Sequence, residues 1–357
     1  MKPLYNLTIF AAIFCTLICL TACERNISTG STVYEDGSLD RTIVLSSDAD
    51  SEIASHNIMG VNKERGWKTV IEPAVPVEEE KDLKYNVTFT KHFKSVDEAN
   101  TEMNSDTDTL FQIRSSIKNR NRWFFTYMEY SDTYVSLDRF KTIPQEDYFT
   151  KEDYAFIDRL PAEGSRITKS DSLYLERLNE KIFDLYGART IFEALFGDML
   201  SVMREHKVPA NWTDSLLRKK ENIYQQFGKE FSLTDADLLD DADLLPVADR
   251  MKIPLPLEAQ EAIQKKKAEI EKRLGFIYWA YSSKYLHSIT MPWAVVSSNA
   301  DSARNNTLYW NPPAIKFLLQ DYTMTAHARK VNVWQVSISA MLVLATLGLF
   351  IFRKRIG

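Results

Sequence analysis

Residues 122–137, RWFFTYMEYSDTYVSL, form the most aromatic stretch of the sequence, and they decide the fold that we expect. Aromatic and β-branched residues favour strands because their side chains pack well on a pleated surface. Successive residues of a strand point to opposite faces. Each face of this strand carries three apolar side chains: Trp123, Phe125 and Tyr127 on one, and Phe124, Met128 and Tyr130 on the other. This pattern predicts a central strand that is covered on both sides.

Further strand-forming segments lie on both sides of a long central region. Residues 31–47, STVYEDGSLDRTIVLSS, predict a hairpin because Asp36-Gly37 is a strong turn signal between two β-branched runs. Other short strands are expected at 67–71, 85–93, 293–297, 307–310 and 322–333. Strands from both ends of a chain can share one sheet. We therefore expect an α+β fold, with a sheet formed by N- and C-terminal strands and a large inserted helical block at 140–290.

Helical periodicity dominates residues 140–290. Within 170–206, apolar residues recur alternately three and four positions apart, and only Arg189 interrupts this helix-packing stripe. The stripe consists of Leu175, Leu178, Ile182, Leu185, Phe192, Phe196, Met199 and Met203. We expect a bend near Gly187 and a second long helix at 257–288. An exposed stripe would indicate a docking helix for a partner protein, whereas a buried stripe would weaken that idea.

The C-terminal segment 333–352, VWQVSISAMLVLATLGLFIF, has twenty residues and no charge. About twenty apolar residues, at 1.5 Å rise each, span the ~30 Å hydrocarbon core of a bilayer. Trp334 marks one boundary, as interfacial aromatic residues do, and the basic tail 353–357 follows the other. Basic tails remain in the cytoplasm. The segment therefore predicts a transmembrane helix, with residue 332 outside the cytoplasmic membrane.

The N-terminal residues have the order of an export signal: Lys2, then an apolar run, then small residues before a cysteine. The sequence Leu20-Thr21-Ala22-Cys23 resembles the lipobox of bacterial lipoproteins. The resemblance implies that residues 1–22 are a lipoprotein signal peptide and that Cys23 carries a covalent lipid such as palmitate. The alternatives are an uncleaved N-terminal anchor and an ordinary secretion signal.

These two anchors predict one exported domain that is attached to one membrane at both ends. Its expected parts are the β-rich residues 23–139, the helical block 140–290, the closing strands 291–332, the transmembrane helix 333–352 and the cytoplasmic tail 353–357. The remaining cysteines, Cys15 and Cys19, lie in the signal. The mature chain would therefore lack a disulfide, a thiolate metal site and a cysteine nucleophile.

The charge of the exported part is acidic. Four of the 44 Lys and Arg residues lie in the signal and the tail, which leaves 40 against 49 acidic residues and a net charge of −9 for residues 24–332. An acidic domain is repelled by nucleic acid and by anionic headgroups. We therefore expect no nucleic-acid partner, and attachment to the membrane through the anchors rather than through a basic patch.

No motif for catalysis, a cofactor or a metal is present. The sequence has no G-x-S-x-G, P-loop or G-x-G-x-x-G motif, and its histidines are isolated from one another: His56, His92, His206, His287 and His327. The acidic run 235–243 lacks the glycine and glutamate that a calcium loop requires. We predict no catalytic residue, cofactor or metal. A glycan hydrolase with paired carboxylates, among them Asp132 or Glu129, remains an alternative.

Aromatic residues are the candidates for a binding site. Six of them could line an apolar groove for an acyl chain or a sugar: Trp123, Phe125, Tyr127, Tyr278, Trp279 and Trp293. The other interpretation is that they form core, since aromatic side chains dominate core burial. A third is that Tyr278, Tyr281, Tyr285 and Trp293 lie at the level of the lipid headgroups.

The two ends of the exported part resemble one family. VYEDGSLDRTIVL, soon after Cys23, is similar to the opening hairpin of LppM-like lipoproteins. The closing strands resemble that family's P-G-x-V-x-x-x-N…W pattern through Pro292, Val295-Val296, Ser298-Asn299, Asn306 and Trp310, before a transmembrane helix. Trp293 replaces the family's glycine, and the pattern does not account for residues 140–290. The resemblance implies binding of lipids or glycolipids at the envelope.

The sequence therefore predicts a non-enzymatic envelope lipoprotein that binds a lipid, a glycolipid or another envelope component outside the cytoplasmic membrane. One alternative is a structural or accessory subunit of an envelope protein complex. The other alternative is the carboxylate-dependent glycan hydrolase.

Overall fold

The protein is represented by a computed structural model that describes residues 26–47, 61, 63–73, 85–104, 111–138, 140, 142–230 and 244–356. The predicted signal peptide, Cys23 and the acidic run 235–243 lie outside these residues. The chain forms two compact units. The sheet unit comprises the described residues up to Val135 together with 282–317 and 321–356, and the helical unit comprises 136–281 and 318–320.

The strands of the sheet unit form two sheets. Their bounds are β1 Asn26–Val33, β2 Leu39–Ser47, β3 Lys68–Pro73, β4 Tyr85–Phe93, β5 Ile113–Asn121, β6 Phe125–Tyr134, β7 Lys284–Thr290, β8 Ala294–Ser298, β9 Ser302–Arg304, β10 Thr307–Trp310 and β11 Tyr322–Val331. The larger sheet has the order β3-β4-β2-β1-β7-β10-β9, and the smaller sheet has the order β5-β6-β11-β8. Helix α1, Val96–Met103, packs on β5.

Strands from both ends of the chain pair directly in each sheet, and the predicted α+β fold is confirmed. β1 runs antiparallel to β2 and parallel to β7, with Asn26 opposite Lys284. In the smaller sheet β6 lies between β5 and β11, so that Tyr134 has Ile113 on one side and Tyr322 on the other. The N- and C-terminal strands thus share two sheets, where one was expected.

Only one face of the aromatic strand β6 is buried, which corrects the expectation of a strand covered on both sides. Met128, Tyr130, Asp132 and Tyr134 alternate on the buried face. The opposite face is only half-buried, because residues such as Glu129 make it polar. Residues 123–124 lie outside the strand, in the two-residue turn of the β5–β6 hairpin.

The buried faces of the two sheets pack against each other. Four aromatic rings form one cluster between the two sheets. The ring centre of Phe111 lies 5.0 Å from that of Tyr134 and 5.6 Å from that of Tyr285. The ring centre of Phe317 lies 4.7 Å from that of Tyr285. Tyr285 is fully buried in this cluster. The suggestion that Tyr285 lies at the level of lipid headgroups is therefore wrong.

Helices dominate the helical unit. Their bounds are α2 Lys151–Arg159, α3 Lys169–Glu180, α4 Ala188–Glu205, α5 Ala210–Glu230, α6 Leu245–Arg250 and α7 Leu257–Tyr281. α7 ends seven residues before the end of the long helix that the sequence predicted, and residues 284–290 form strand β7 instead. Thr150 and Asp153 form a capping box at the start of α2, which satisfies backbone N–H groups of its first turn.

The predicted apolar stripe is largely buried inside the helical unit. Leu178, Ile182, Phe192, Phe196, Met199 and Met203 are all at most 3% exposed. Between α3 and α4, residues Lys181–Gly187 form a π-helical turn where a bend was expected. Within this wider turn, Tyr186 is buried and Leu185 is 54% exposed, while the stripe residues after the turn remain buried. Because the stripe forms core, its interpretation as a docking helix is weakened.

Candidate functional site

The last helix, α8, begins at Val333 and extends to Ile356. Its segment Val333–Ile351 is long and apolar enough to cross a membrane, by length and composition. Only 6% of that segment is buried within the protein. A core helix of a soluble protein would bury most of such a surface.

The tip of the β5–β6 hairpin lies beside the start of α8. Asn332, the residue before the helix, donates from Nδ2 to the carbonyl oxygens of Arg122 at 2.8 Å and Trp123 at 3.3 Å. Its backbone N–H donates to the carbonyl of Phe124 at 2.9 Å. The indole N–H of Trp123 donates to Ser339 Oγ at 2.8 Å. These bonds fix the hairpin against the first two turns of the helix.

A basic groove of about 340 Å³ opens on the outer face of the smaller sheet, near this tip. Its lining consists of Lys118, Arg120, Arg122, Tyr127, Met128, Glu129, His327 and Ala328. The strand register explains the arrangement, because Lys118, Glu129 and His327 lie side by side on β5, β6 and β11. The next row on the same face pairs Arg120 with Tyr127 and Tyr127 with Arg329. Alternation along β5 thus directs its cations to one face.

Three cations of the groove lining are available to a ligand: Lys118 and Arg120 on β5, and Arg122 directly after it. Lys118, Arg120 and Arg122 are exposed, and none has an ion-pair partner among the residues that the structure describes. Among the residues that the structure describes, Glu129 is the only acidic one in the groove lining. Although residues 24–332 have a net charge of −9, folding concentrates positive charge here. The net charge of the exported part therefore does not describe this local surface, which carries three exposed cations.

A second polar cluster lies between the sheets and is fully buried. Asp132 accepts hydrogen bonds from both terminal nitrogens of Arg41, at 2.9 and 3.0 Å. The same carboxylate accepts hydrogen bonds from the hydroxyls of Ser31, Ser115 and Tyr130 at 2.5–2.9 Å. His287 Nε2 lies 2.9 Å from it, and Thr29 Oγ1 lies 2.5 Å from the other ring nitrogen.

Thr29, His287 and Asp132 place a hydroxyl, an imidazole and a carboxylate in the order of a hydrolase triad. The surroundings of this cluster, however, are those of a structural core. Asp132, Arg41 and His287 are 0% exposed, so a substrate has no access to them. Burial disfavours the charged form of Asp132, yet Arg41 and the hydrogen bond from His287 hold its pKa well below the usual range. Burial lowers the pKa of His287 despite the adjacent carboxylate, which favours neutral imidazole. The cluster ties the two sheets together.

The carboxylates suggested for a glycan hydrolase do not form a pair. Asp132 and Glu129 are three residues apart on β6 and therefore point to opposite faces of the sheet. A catalytic acid needs a raised pKa in an accessible cleft. The pKa of Asp132 is instead lowered, and this carboxyl has no solvent access. The geometry thus contradicts the paired-carboxylate idea for these two residues.

The helical unit contains a small apolar cavity of about 60 Å³. It is lined by Asp138, Phe140, Ile182, Phe183, Tyr186, Gly187, Thr190, Ile191, Leu274, Ile277, Tyr278, Leu318 and Leu319. At its polar side, the hydroxyl of Tyr186 donates to Asp138 at 2.5 Å. This space is sufficient for a few methylene groups.

The six aromatic residues that were predicted to line a ligand site are distributed over both units. Trp123 lies at the hairpin tip, Tyr127 lines the basic groove, and Phe125 lies beneath the guanidinium of Arg329 at 4.8 Å. Trp293 is buried in the sheet unit. In the helical unit, Tyr278 lines the apolar cavity and Trp279 packs on Phe276 with ring centres 5.5 Å apart. Three of the six, Trp123, Phe125 and Tyr127, therefore lie in or near one strand of the sheet unit, whereas Tyr278 and Trp279 belong to the helical unit.

The three cations of the groove, Lys118, Arg120 and Arg122, were not among the sequence predictions. The signal was present in residues 118–122, KNRNR, where every second residue is a cation. On a strand, this spacing places all three charges on one face. Asn332, which binds the hairpin tip, had no recognisable signal, because its role depends on the position of β5 and β6.

Comparisons with known proteins give little further information. No family model and no curated protein matches the chain. Among solved structures, the folded domain of the LppM protein of Mycobacterium tuberculosis matches with a TM-score of 0.28 and 10% identity, over 86% of this chain and 91% of that one. Because this TM-score is low, the fold and the function of this chain are inferred from its own residues and not from this similarity.

Proposed function

We propose that this protein is a non-enzymatic lipoprotein of the cell envelope, held at the outer face of the cytoplasmic membrane, whose basic groove binds the headgroup of an anionic lipid or glycolipid. The observation that carries the proposal is the groove itself. Three exposed cations without ion-pair partners in the described part of the chain line a concave surface next to α8.

The position of the groove supports a lipid rather than a soluble ligand. Arg122 directly precedes the hairpin tip, which is hydrogen-bonded to α8 through Trp123 and Ser339. If α8 spans the membrane, Arg122 and Arg120 lie close to the headgroup layer. Lys and Arg near an anionic membrane surface each contribute about 1 kcal/mol of attraction. Arg guanidinium groups also bind phosphate oxygens in a bidentate manner.

Two anchors complete the proposal. α8 would cross the membrane with its C-terminal end in the cytoplasm, and a lipid on Cys23 would hold the other end of the domain. A second candidate ligand region is the apolar cavity of the helical unit, which would take a short aliphatic segment and is lined by Tyr278. An accessory role in an envelope complex has less support, because the stripe suggested for docking is buried.

The experiment is a lipid titration of the full chain in neutral detergent micelles. Phosphatidylglycerol is the probe, and native mass spectrometry counts the bound lipids. Replacing Lys118, Arg120 and Arg122 together by alanine should weaken binding by about 100-fold, because about 3 kcal/mol of attraction is lost.

The matched control changes the same number of charges in the helical unit. Arg204, Arg218 and Lys219 are exposed on α4 and α5. Their joint replacement by alanine should leave the affinity for phosphatidylglycerol unchanged. Equal affinities of the groove variant and the unmodified protein would show that the groove does not bind the headgroup.

A further inference from the structure

The tip of the β5–β6 hairpin presents two large apolar side chains where turns normally carry small or polar ones. Trp123 is 55% exposed and Phe124 is 46% exposed. The neighbouring start of α8 is also apolar and exposed, with Val333 at 70% and Trp334 at 62%. Adjacent exposed apolar residues indicate a surface that is covered in the working state of the protein.

The contacts of the tip identify the bilayer as the partner that covers it. The Trp123 indole is hydrogen-bonded to Ser339, which lies six residues beyond the start of the apolar helix. At 1.5 Å per residue, this point is about 9 Å along the helix axis from Val333. If the helix enters the membrane near Val333, Trp123 is at the depth of the interface.

The chemistry of the tip suits that depth. Tryptophan has an apolar ring and one N–H group, and it is enriched at the membrane–water interface for this reason. Here the N–H group is bonded to Ser339 Oγ, so the ring can enter an apolar region without an unsatisfied donor. Above the tip, Arg122, Arg120 and Lys118 follow within about 17 Å along β5. A cationic strand above an apolar tip matches the order of headgroups above acyl chains.

The tip is also held rigidly. Asn332 is 9% exposed, and its Nδ2 donates to the carbonyl oxygens of residues 122 and 123. The hydroxyl of Thr126 donates to Asn332 Oδ1 at 2.8 Å. Since Asn332 directly precedes α8, the hairpin and the helix are joined at one residue. A rigid joint transmits the orientation of the helix to the sheet unit.

We propose that the hairpin tip, Trp123 and Phe124, inserts into the outer interface of the membrane beside α8 and sets the height and tilt of the sheet unit. This inference rests on the proposed function, because it requires α8 to span the membrane. It adds a second, non-helical membrane contact, which keeps the cations of β5 at the level of the headgroups.

The test measures the depth of single positions in the full chain. Cys15, Cys19 and Cys23 are replaced by serine, and one new cysteine at Phe124, Ser116 or Leu344 carries the fluorophore NBD. Each protein is reconstituted into phosphatidylcholine vesicles with acyl chains brominated near the headgroup or near the bilayer centre. Ser116 is the matched control, because it is exposed in the half of β5 that is remote from the tip.

We expect the label at Phe124 to show a blue-shifted emission and to lose fluorescence to the shallow bromines, whereas the label at Ser116 shows neither change. The label at Leu344, in the middle of α8, should be quenched by the deep bromines. Quenching at Leu344 without quenching at Phe124 would overturn the inference and leave the spanning helix intact. Absence of quenching at Leu344 would refute the spanning helix, and with it the proposed tether.

Discussion

Replacement of Asp132 by alanine is expected to lower the free energy of unfolding of the sheet unit by about 3–5 kcal/mol, the usual cost of breaking a buried ion pair from one side. Arg41 would remain charged and fully buried without its carboxylate. The hydroxyls of Ser31 and Ser115 would also lose their acceptor. Since domains are stable by about 5–15 kcal/mol, this loss is a large fraction of the total.

The measurement is urea unfolding of the detergent-solubilised chain. Its control is Asp321→Ala, which removes an aspartate whose ion pair with Arg114 lies on the surface. Exposed pairs contribute only about 0–1 kcal/mol, so the control should change little. Equal effects of the two substitutions would contradict the structural role assigned to the buried cluster.

Replacement of Phe192 by alanine should destabilise the helical unit by about 3–5 kcal/mol, as truncation of a buried aromatic side chain does. Phe192 is 0% exposed in the core of α4, and its ring lies 5.1 Å from that of Tyr224 on α5. The loss arises from the apolar surface that is no longer buried and from the cavity that remains. Thermal unfolding followed by circular dichroism at a helical wavelength measures it.

Leu185 supplies the matched control, since it belongs to the same sequence stripe but is 54% exposed. Leu185→Ala should stay within about 0.5 kcal/mol of the unmodified chain, as surface substitutions usually do. An effect at Phe192 as small as that at Leu185 would mean that the stripe faces outward, and the docking-helix interpretation would return.

The stripe also shows how far local pattern predicts structure. Its three-and-four spacing correctly indicated a long amphipathic helix, because helical geometry follows from the periodicity of the residues themselves. Within the π-helical turn at Lys181–Gly187, Tyr186 takes the place of Leu185 in the core. Such a turn depends on tertiary packing, so the pattern alone placed Leu185 on the wrong side.

The strand pairings were predictable only in outline. The hairpin with Asp36-Gly37 formed as expected, because its turn chemistry is local. The parallel pairing of β1 with β7 brings Thr29 and His287 together across 258 positions of sequence, and no local signal specifies it. The helix predicted at 257–288 includes the first five residues of β7, because no proline or glycine lies between Gly275 and Pro292 to end the helical pattern.

The two polar sites also differ in how far the sequence predicts them. The cations of β5 were readable from their alternation, whereas the buried position of Asp132 was not. Asp132 is a lone aspartate in an aromatic strand, and its neighbours in sequence offer no ion-pair partner. Its partner Arg41 lies on a strand 91 residues earlier in the chain. The fold class and the long apolar C-terminal helix thus follow from composition and period, while charge clusters that arise from strand pairing require the structure.

The central claim is that α8 crosses the cytoplasmic membrane with the sheet unit outside. The direct measurement is cysteine accessibility in intact spheroplasts, with Cys15, Cys19 and Cys23 replaced by serine and one new cysteine at Ser302 or at Gly357. Ser302 is exposed on β9. A membrane-impermeant maleimide should label Ser302→Cys at once and Gly357→Cys only after the membrane is permeabilised. Labelling of both positions in intact spheroplasts, or of neither, would contradict the claim.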